Sequence, residues 1–378
     1  YDLQSNASVQ NRIIYHTDGT ISAAWTMSSA MDAAWADRGT GYNYFDGTDW
    51  LPFPSNRLES SRGGWPSMIV TGSGKEAAVT HNTDNSHVNL THRPTVGSGM
   101  WTEQNISSYD DENSKYQDMI WNRTAVGGVN NESLHMIAVT ADSSNFGGTI
   151  FNGLDGALVY YRSQDEGATW DIQDMQLPGL DTSTYTRHSG DSYAISAKGN
   201  IIAVAYFGTY DDAILLKSTD NGDTWIKTTF SNFPIDKYVY DSGIDLDNDG
   251  IADTIYTTDG SGAILIDNND IVHITYGNMR VLDADLTDDG MSYFPGTNGL
   301  MYWNESLGAD TSGTWVTPSL WDHGNSLYIA QSEDIDQNGT LDIPDFGGYG
   351  GGMSTMPNMG MDVNGVMFVS FSTVVENI

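Results

Sequence analysis

The sequence predicts an all-β chain built as a ring of six similar sheets, and three observations carry that prediction. Long apolar segments with a 3.6-residue period are nearly absent, while short apolar runs recur between Gly, Asn and Asp. One pattern, a tight turn followed by an apolar strand, occurs six times. Most copies are followed by an outer hairpin that ends near a Trp. Repeats of this length, each made of short strands, point to a six-bladed β-propeller.

The six copies run Asp18 to Trp25, Gly74 to Thr80, Glu132 to Val139, Gly199 to Tyr206, Asn269 to Tyr276 and Asn364 to Phe371. Their strands are almost continuously apolar, as expected where both faces pack against neighbouring sheets. The hairpins run Tyr42 to Trp50, Val88 to Trp101, Leu158 to Trp170, Ile214 to Trp225 and Met301 to Trp315. An open edge invites mispairing, so Gly365 to Val375 are expected to share a blade with Tyr1 to Asn11. The copies spread apart along the chain, which places insertions at about 236–260 and 331–353 of a single domain, 1–378.

Two hairpins carry a fuller signature. One reads Ser163-Gln164-Asp165-Glu166-Gly167-Ala168-Thr169-Trp170, the other Ser218-Thr219-Asp220-Asn221-Gly222-Asp223-Thr224-Trp225. Ser and Asp side chains can bond the backbone of a tight turn. Gly supplies its positive φ. Trp is expected to staple the turn onto its own sheet. The pattern resembles the Asp-box (BNR) repeats of sialidase-like β-propellers.

Composition narrows the partners. Fifty acidic residues against 15 basic ones give a formal charge of −35. Phosphate recognition needs a basic footprint, so nucleic acid is excluded as a partner and anionic membrane surfaces are disfavoured. No apolar run reaches the ~18–20 residues of a membrane span, so direct membrane insertion is not expected. The acidity suits a salty, calcium-rich exterior, and the sequence style resembles secreted or surface domains of marine Bacteroidota. The absence of cysteine removes disulfides, thiolate zinc sites and a Cys nucleophile.

The insertions hold the clearest chemistry. Asp245-Leu246-Asp247-Asn248-Asp249-Gly250-Ile251-Ala252-Asp253 and Asp334-Ile335-Asp336-Gln337-Asn338-Gly339-Thr340-Leu341-Asp342 both read D-x-D-x-[DN]-G-x-x-D. Calcium takes about six to eight oxygens. Asp245, Asp247, Asp249 and Asp253, with the Ile251 carbonyl, supply one set; Asp334, Asp336, Asn338 and Asp342, with the Thr340 carbonyl, supply the other. The spacing follows the start of an EF-hand loop without its twelfth-position Glu, and the nine-residue form resembles the calcium loops of FG-GAP and thrombospondin type 3 repeats. Two structural Ca2+ ions are expected. Asp283, Asp285, Asp288 and Asp289 form a third acidic cluster without the spacing, a further candidate for metal.

The sialidase resemblance implies a substrate carboxylate held by three arginines, a Tyr nucleophile activated by Glu, and an Asp acid/base. Arg12-Ile13-Ile14 partly matches the family's Arg-Ile-Pro motif. Arg62 and Arg187 precede Gly74 and Gly199 at equal offsets, and Asp191 and Tyr193 lie close to Arg187. Arg38 and Arg123 are further candidates for the same face. Equal offsets favour a repeated scaffold role, an arginine tying one blade to its neighbour. Trp25, Trp65, Tyr42 and Tyr44 fall near predicted blade ends, where aromatics stack on sugars or fill gaps between blades. The Gly run Phe346 to Met353 is expected to cross the face. The leading functional expectation is a secreted or cell-surface binding module, for glycans or another surface protein. The alternatives are a sialidase-type glycoside hydrolase and a structural subunit of an extracellular assembly.

Overall fold

The computed structural model describes residues 11–29, 35–82, 88–106, 119–310, 324–343 and 350–376. Six antiparallel sheets follow one another in chain order. Sheet one has three strands, Ile13–Tyr15, Ile21–Met27 and Gly39–Phe45. Sheet two comprises Gly63–Val70, Glu76–Asn82, Val88–Arg93 and Thr102–Ile106. Sheet three comprises Met119–Gly127, Ser133–Thr140, Leu158–Ser163 and Ile172–Gln176. Sheet four comprises Tyr193–Lys198, Ile201–Tyr206, Ala213–Ser218 and Ile226–Ser231. Sheet five is built on Thr254–Ile266, Val272–Leu282, Leu300–Asn304 and Leu327–Ala330, with Ser292–Tyr293 added at Val272–Leu282. Sheet six pairs Ser354–Met361 with Met367–Thr373. A 3-10 turn at Glu305–Leu307 is the only helical element among the described residues.

Every repeated copy forms the second strand of its sheet. The turn before each strand has a residue of positive φ: Gly19, Gly74, Asn131, Gly199, Asp270 and Gly365. Glu76–Asn82 and Ser133–Thr140 are buried along their whole length, because strands flank them on both sides and sheets cover both faces. Ile137 pairs with Arg123 on one side and Tyr160 on the other. Met367–Thr373 departs from this and alternates half-buried with exposed positions. Its sheet has two strands among the described residues. The expected pairing with Tyr1 to Asn11 falls on residues 1–10, outside the described ones, as do Trp315 and residues 346–349 of the Gly run.

From sheet two to sheet six, the first strand of each sheet packs against the first strand of the next. Sheet one meets sheet two through Ile21–Met27. The first strands share a device: a residue of positive φ at or just before the strand start or at a register shift. These residues are Asn11, Trp65, Trp121, Asp191, Gly260 and Met356. Four of them sit inside register shifts. A bulge bends the strand and re-aims its side chains, so four of the first strands bend at these shifts.

The two signature turns lie between the third and fourth strands of sheets three and four. Ser163 Oγ accepts the Gly167 amide at 2.8 Å, and Asp165 accepts the Thr169 amide at 2.8 Å and hydroxyl at 2.6 Å. Ser218 and Asp220 repeat these bonds to Gly222 and Thr224. Trp170 packs edge-on against Tyr161 of its own sheet, ring centroids 6.3 Å apart. Trp225 instead packs on Tyr160 of the preceding sheet, at 5.1 Å. The second turn therefore clamps two sheets together, not one.

Candidate functional site

Two adjoining cavities open where the first strands begin and the second strands end. One, about 420 Å³, is lined by Trp121, Asp142, Asn145, Phe146 and His188. The other, about 430 Å³, is lined by Tyr210, Asp211, Tyr238 and Tyr240. Asp155, Arg187 and Ser189 belong to both and form the divide.

The walls follow from local structure. Trp121 occupies the bulge of its strand with φ +52°. Its amide donates to His81 Nδ1 at 2.9 Å, and its carbonyl accepts the Tyr193 hydroxyl at 2.7 Å. The indole lies against Gly190, where a Cβ would come within 2.4 Å of the ring, so only glycine fits there. Phe146 meets Trp121 edge-on, centroids 5.2 Å apart. On the far side, Tyr210 packs edge-on against Tyr240 at 5.8 Å. Asp142 and Asp155 are occupied locally. Asp142 accepts the Asn145 amide at 2.6 Å, and Asp155 accepts the Ser143 amide at 2.7 Å and hydroxyl at 2.8 Å.

Arg187 is exposed, and no described residue hydrogen-bonds or ion-pairs with it. His188 is 4% exposed. Its Nδ1 accepts the Leu158 amide at 3.2 Å, and burial pushes its pKa down to about 3, so the ring is neutral. The proton then sits on Nε2, which is buried and has no partner. Burial, with the charge of Asp212 behind it, raises the Asp211 pKa to about 7, against the pull of Arg187. The cleft thus offers an arginine without an acceptor among the described residues, an acid that holds its proton near neutrality, and aromatic rings on both sides.

The sequence-predicted site residues separate into groups. Asp191 and Tyr193 come together with Arg123: Asp191 bonds the Arg123 guanidinium at 2.6 Å, and the Tyr193 ring lies 5.7 Å from it. Arg62 donates to the Trp35 carbonyl at 3.0 Å, and Arg38 to the Gly63 carbonyl at 2.9 Å. Arg38, Arg62 and Arg123 all press on buried His81, whose pKa burial and these charges lower to about 3. Arg12 is half-buried ahead of sheet one, its carbonyl accepting the Ala24 amide at 2.9 Å. Arg187 alone of these reaches the cleft. Trp121, Phe146, Tyr210, Asp211, Tyr238 and Tyr240 were not singled out by the sequence. The available signal was weak: Tyr210-Asp211 closely follows a predicted second strand, and Tyr238-Val239-Tyr240 sits in the first insertion.

The two Asp-rich loops fold alike. In the first, the Asp249 amide donates to Asp245 and Asp247 at 3.1 and 3.0 Å, the Gly250 amide to Asp245 at 3.0 Å, and the Ile251 amide to Asp249 at 2.7 Å. In the second, Asn338, Gly339 and Thr340 make the same bonds to Asp334, Asp336 and Asn338. Carboxylate oxygens of Asp245, Asp247 and Asp253 lie within 4.8 Å of one another. In the second loop the third carboxylate of such a group is Glu376, which the sequence reading did not include. The Asp249 amide lowers the Asp247 pKa, yet desolvation and the neighbouring Asp249, Asp253 and Asp245 charges raise it overall. Converging oxygen-only donors that repel one another fit a hard divalent cation.

No protein-family model and no curated protein matches the chain. Among solved structures, it is similar to the Trypanosoma rangeli sialidase in complex with the inhibitor DANA, at 13% identity and a TM-score of 0.44. That match covers 95% of this chain and 52% of the sialidase. It is similar to the NanB sialidase from Streptococcus pneumoniae at 12% identity and a TM-score of 0.44, covering 99% of this chain and 67% of that one. It is also similar to a PL25 ulvan lyase, at 8% identity and a TM-score of 0.44, covering 96% of this chain and 76% of the lyase. The chain spans about half the length of the Trypanosoma sialidase.

Proposed function

We propose that the protein is a secreted or cell-surface β-propeller, one domain of six blades, that binds glycans in the cleft around Arg187. One observation carries the reading: Arg187 stands exposed on the divide between the two cavities, with no hydrogen-bond or ion-pair partner among the described residues. A guanidinium presents five N–H donors in a planar fork, so the cleft suits an oxygen-rich ligand. Trp121, Phe146, Tyr210 and Tyr240 offer ring faces and edges against which a sugar can pack. A glycan array identifies the ligand, and calorimetry measures it. Arg187→Ala and Trp121→Ala are expected to lose binding at least about tenfold each, as about 1.4 kcal/mol lost requires. No binding to any oligosaccharide, or binding by both variants as tight as that of the unmodified chain, overturns the reading.

Calcium belongs to the same proposal. Asp245, Asp247, Asp249 and Asp253 with the Ile251 carbonyl hold one ion. Asp334, Asp336, Asn338 and Asp342 with the Thr340 carbonyl surround a second, and Glu376 completes it. Both ions order insertions whose carboxylates otherwise repel. Chelation is expected to lower the thermal midpoint, and added Ca2+ to restore it. An unchanged midpoint counts against bound calcium. The charge of −35 fits an exterior rich in screening cations.

Glycoside chemistry is the second reading, and Asp211 favours it. A carboxyl that keeps its proton near pH 7 can act as a general acid. Turnover of a chromogenic glycoside that is lost in Asp211→Asn, while binding survives, would favour hydrolysis over binding alone.

A further inference from the structure

Asp241 and Asp283 each keep one buried carboxylate oxygen that nothing in the described structure satisfies. Asp283 is 1% exposed. Its Oδ2 accepts the Gly243 amide at 2.8 Å and the Tyr238 hydroxyl, so the carboxylate faces the turn 238–243. Asp241 sits in that turn with φ +63°. Its own Oδ2 accepts the Asp289 amide at 3.2 Å, so it faces the loop 283–290 in return. Each carboxylate therefore spends one oxygen on the other's loop, and the second oxygen of each is left over. Leu286 closes the contact, lying 3.3 Å from where a Cβ on Gly243 would stand. An anion this deep without a counter-charge is strongly disfavoured. Asp285, Asp288 and Asp289, the exposed members of the cluster, do not share this feature.

We infer that Asp241 and Asp283 together hold a hard divalent cation, Ca2+ or Mg2+, between the turn 238–243 and the loop 283–290. Two carboxylates balance its charge. Neither segment contains His, Cys or Met, so oxygen is the donor available and soft metals are not served. The ion is distinct from those assigned above to the two nine-residue loops and does not depend on them. Asp283 also carries the Tyr238 hydroxyl, and the Tyr238 ring lines the cleft. The ion thus braces the aromatic wall from behind.

The test uses crystals of the unmodified chain soaked in Tb3+, a calcium surrogate with a strong anomalous signal. A peak about 2.3–2.6 Å from oxygens of both Asp241 and Asp283 is expected. Peaks at the nine-residue loops with none here overturn the inference and leave the loop assignment standing. A peak here with none at the loops does the reverse. In solution, a chain carrying Asp247→Asn and Asp336→Asn is expected to retain one calcium site. Asp241→Asn or Asp283→Asn added to it removes that site. If the residual site survives both additions, or if no site remains before them, the inference fails. Asp241, only half-buried, is the substitution expected to fold if Asp283→Asn does not.

Discussion

Glu376 accepts the backbone amide of Ile335, the second residue of its loop, just as Asp253 accepts the amide of Leu246 in the earlier loop. Asp253 is the ninth residue of its own loop. Glu376 arrives from the far end of the chain and also accepts the Asp342 amide, at 3.1 Å. The side chain of Asp342 is exposed. Glu376→Gln is therefore expected to weaken calcium binding at the second loop by about tenfold or more, since charge count tunes affinity. Asp342→Asn is expected to weaken it less. Calorimetry on the two variants decides, and the opposite order would return the ligand role to Asp342.

Arg123 and Asp191 form an ion pair whose side chains are 0% and 9% exposed. Removing one partner of a buried pair leaves an uncompensated charge and costs about 3–5 kcal/mol. Asp191→Asn is expected to destabilise by that order in urea unfolding. Arg123→Met combined with Asp191→Leu should cost less than the sum of the two single changes. Additive losses would mean that each residue acts separately from the other.

The repeat was legible because it is written in side-chain chemistry. The apolar second strands and the Ser, Asp and Gly of the two turns each announce their role locally. The positive-φ residues at the first strands were not legible. Asn11, Trp65, Trp121, Asp191, Gly260 and Met356 share a backbone angle and no side-chain property. The cleft was hidden for a related reason. Trp121 sits in a strand of sheet three, Asp211 between the second and third strands of sheet four, and Tyr240 between sheets four and five, and only the folded chain brings them to adjoining cavities. Arg187 was named from its offset to Gly199, and its freedom from partners appears only in three dimensions. Glu376 could not be read from loop spacing, because its loop lies in another part of the chain.

The Asp220 carboxylate organises its turn by accepting three bonds, from the Thr224 amide and hydroxyl and from the Ser218 hydroxyl. Hydrogen bonds to a charged group are each worth about 1.5–3 kcal/mol, and exposure reduces that. Asp220→Ala is expected to cost about 2 kcal/mol. Gly222→Ala is expected to cost more, because φ is +91° and the new Cβ would lie 2.2 Å from the Tyr160 hydroxyl of the neighbouring sheet. Urea midpoints compare the two. A harmless Gly222→Ala would mean that the turn does not bear on sheet three.

Stability should fall with acid through the histidines before the carboxylates. Burial lowers the pKa of His81, His135 and His188 to about 3 each. An unfolded histidine titrates near ~6.5, so the unfolded chain takes up these protons first. The stability they contribute is complete above about pH 6.5 and is lost as pH falls toward 3, on the order of 2–3 kcal/mol each by about pH 4.5. Glu59 and Asp211 act the other way. Burial raises both to about 7, so the folded chain binds those protons first and gains stability as pH falls from about 7 toward 4. A chain carrying Glu59→Gln and Asp211→Asn should therefore lose thermal midpoint more steeply between pH 7 and pH 5 than the wild type, at constant calcium. His135→Gln should lose it less steeply. Parallel curves for all three chains would show that these buried groups do not govern the acid limb.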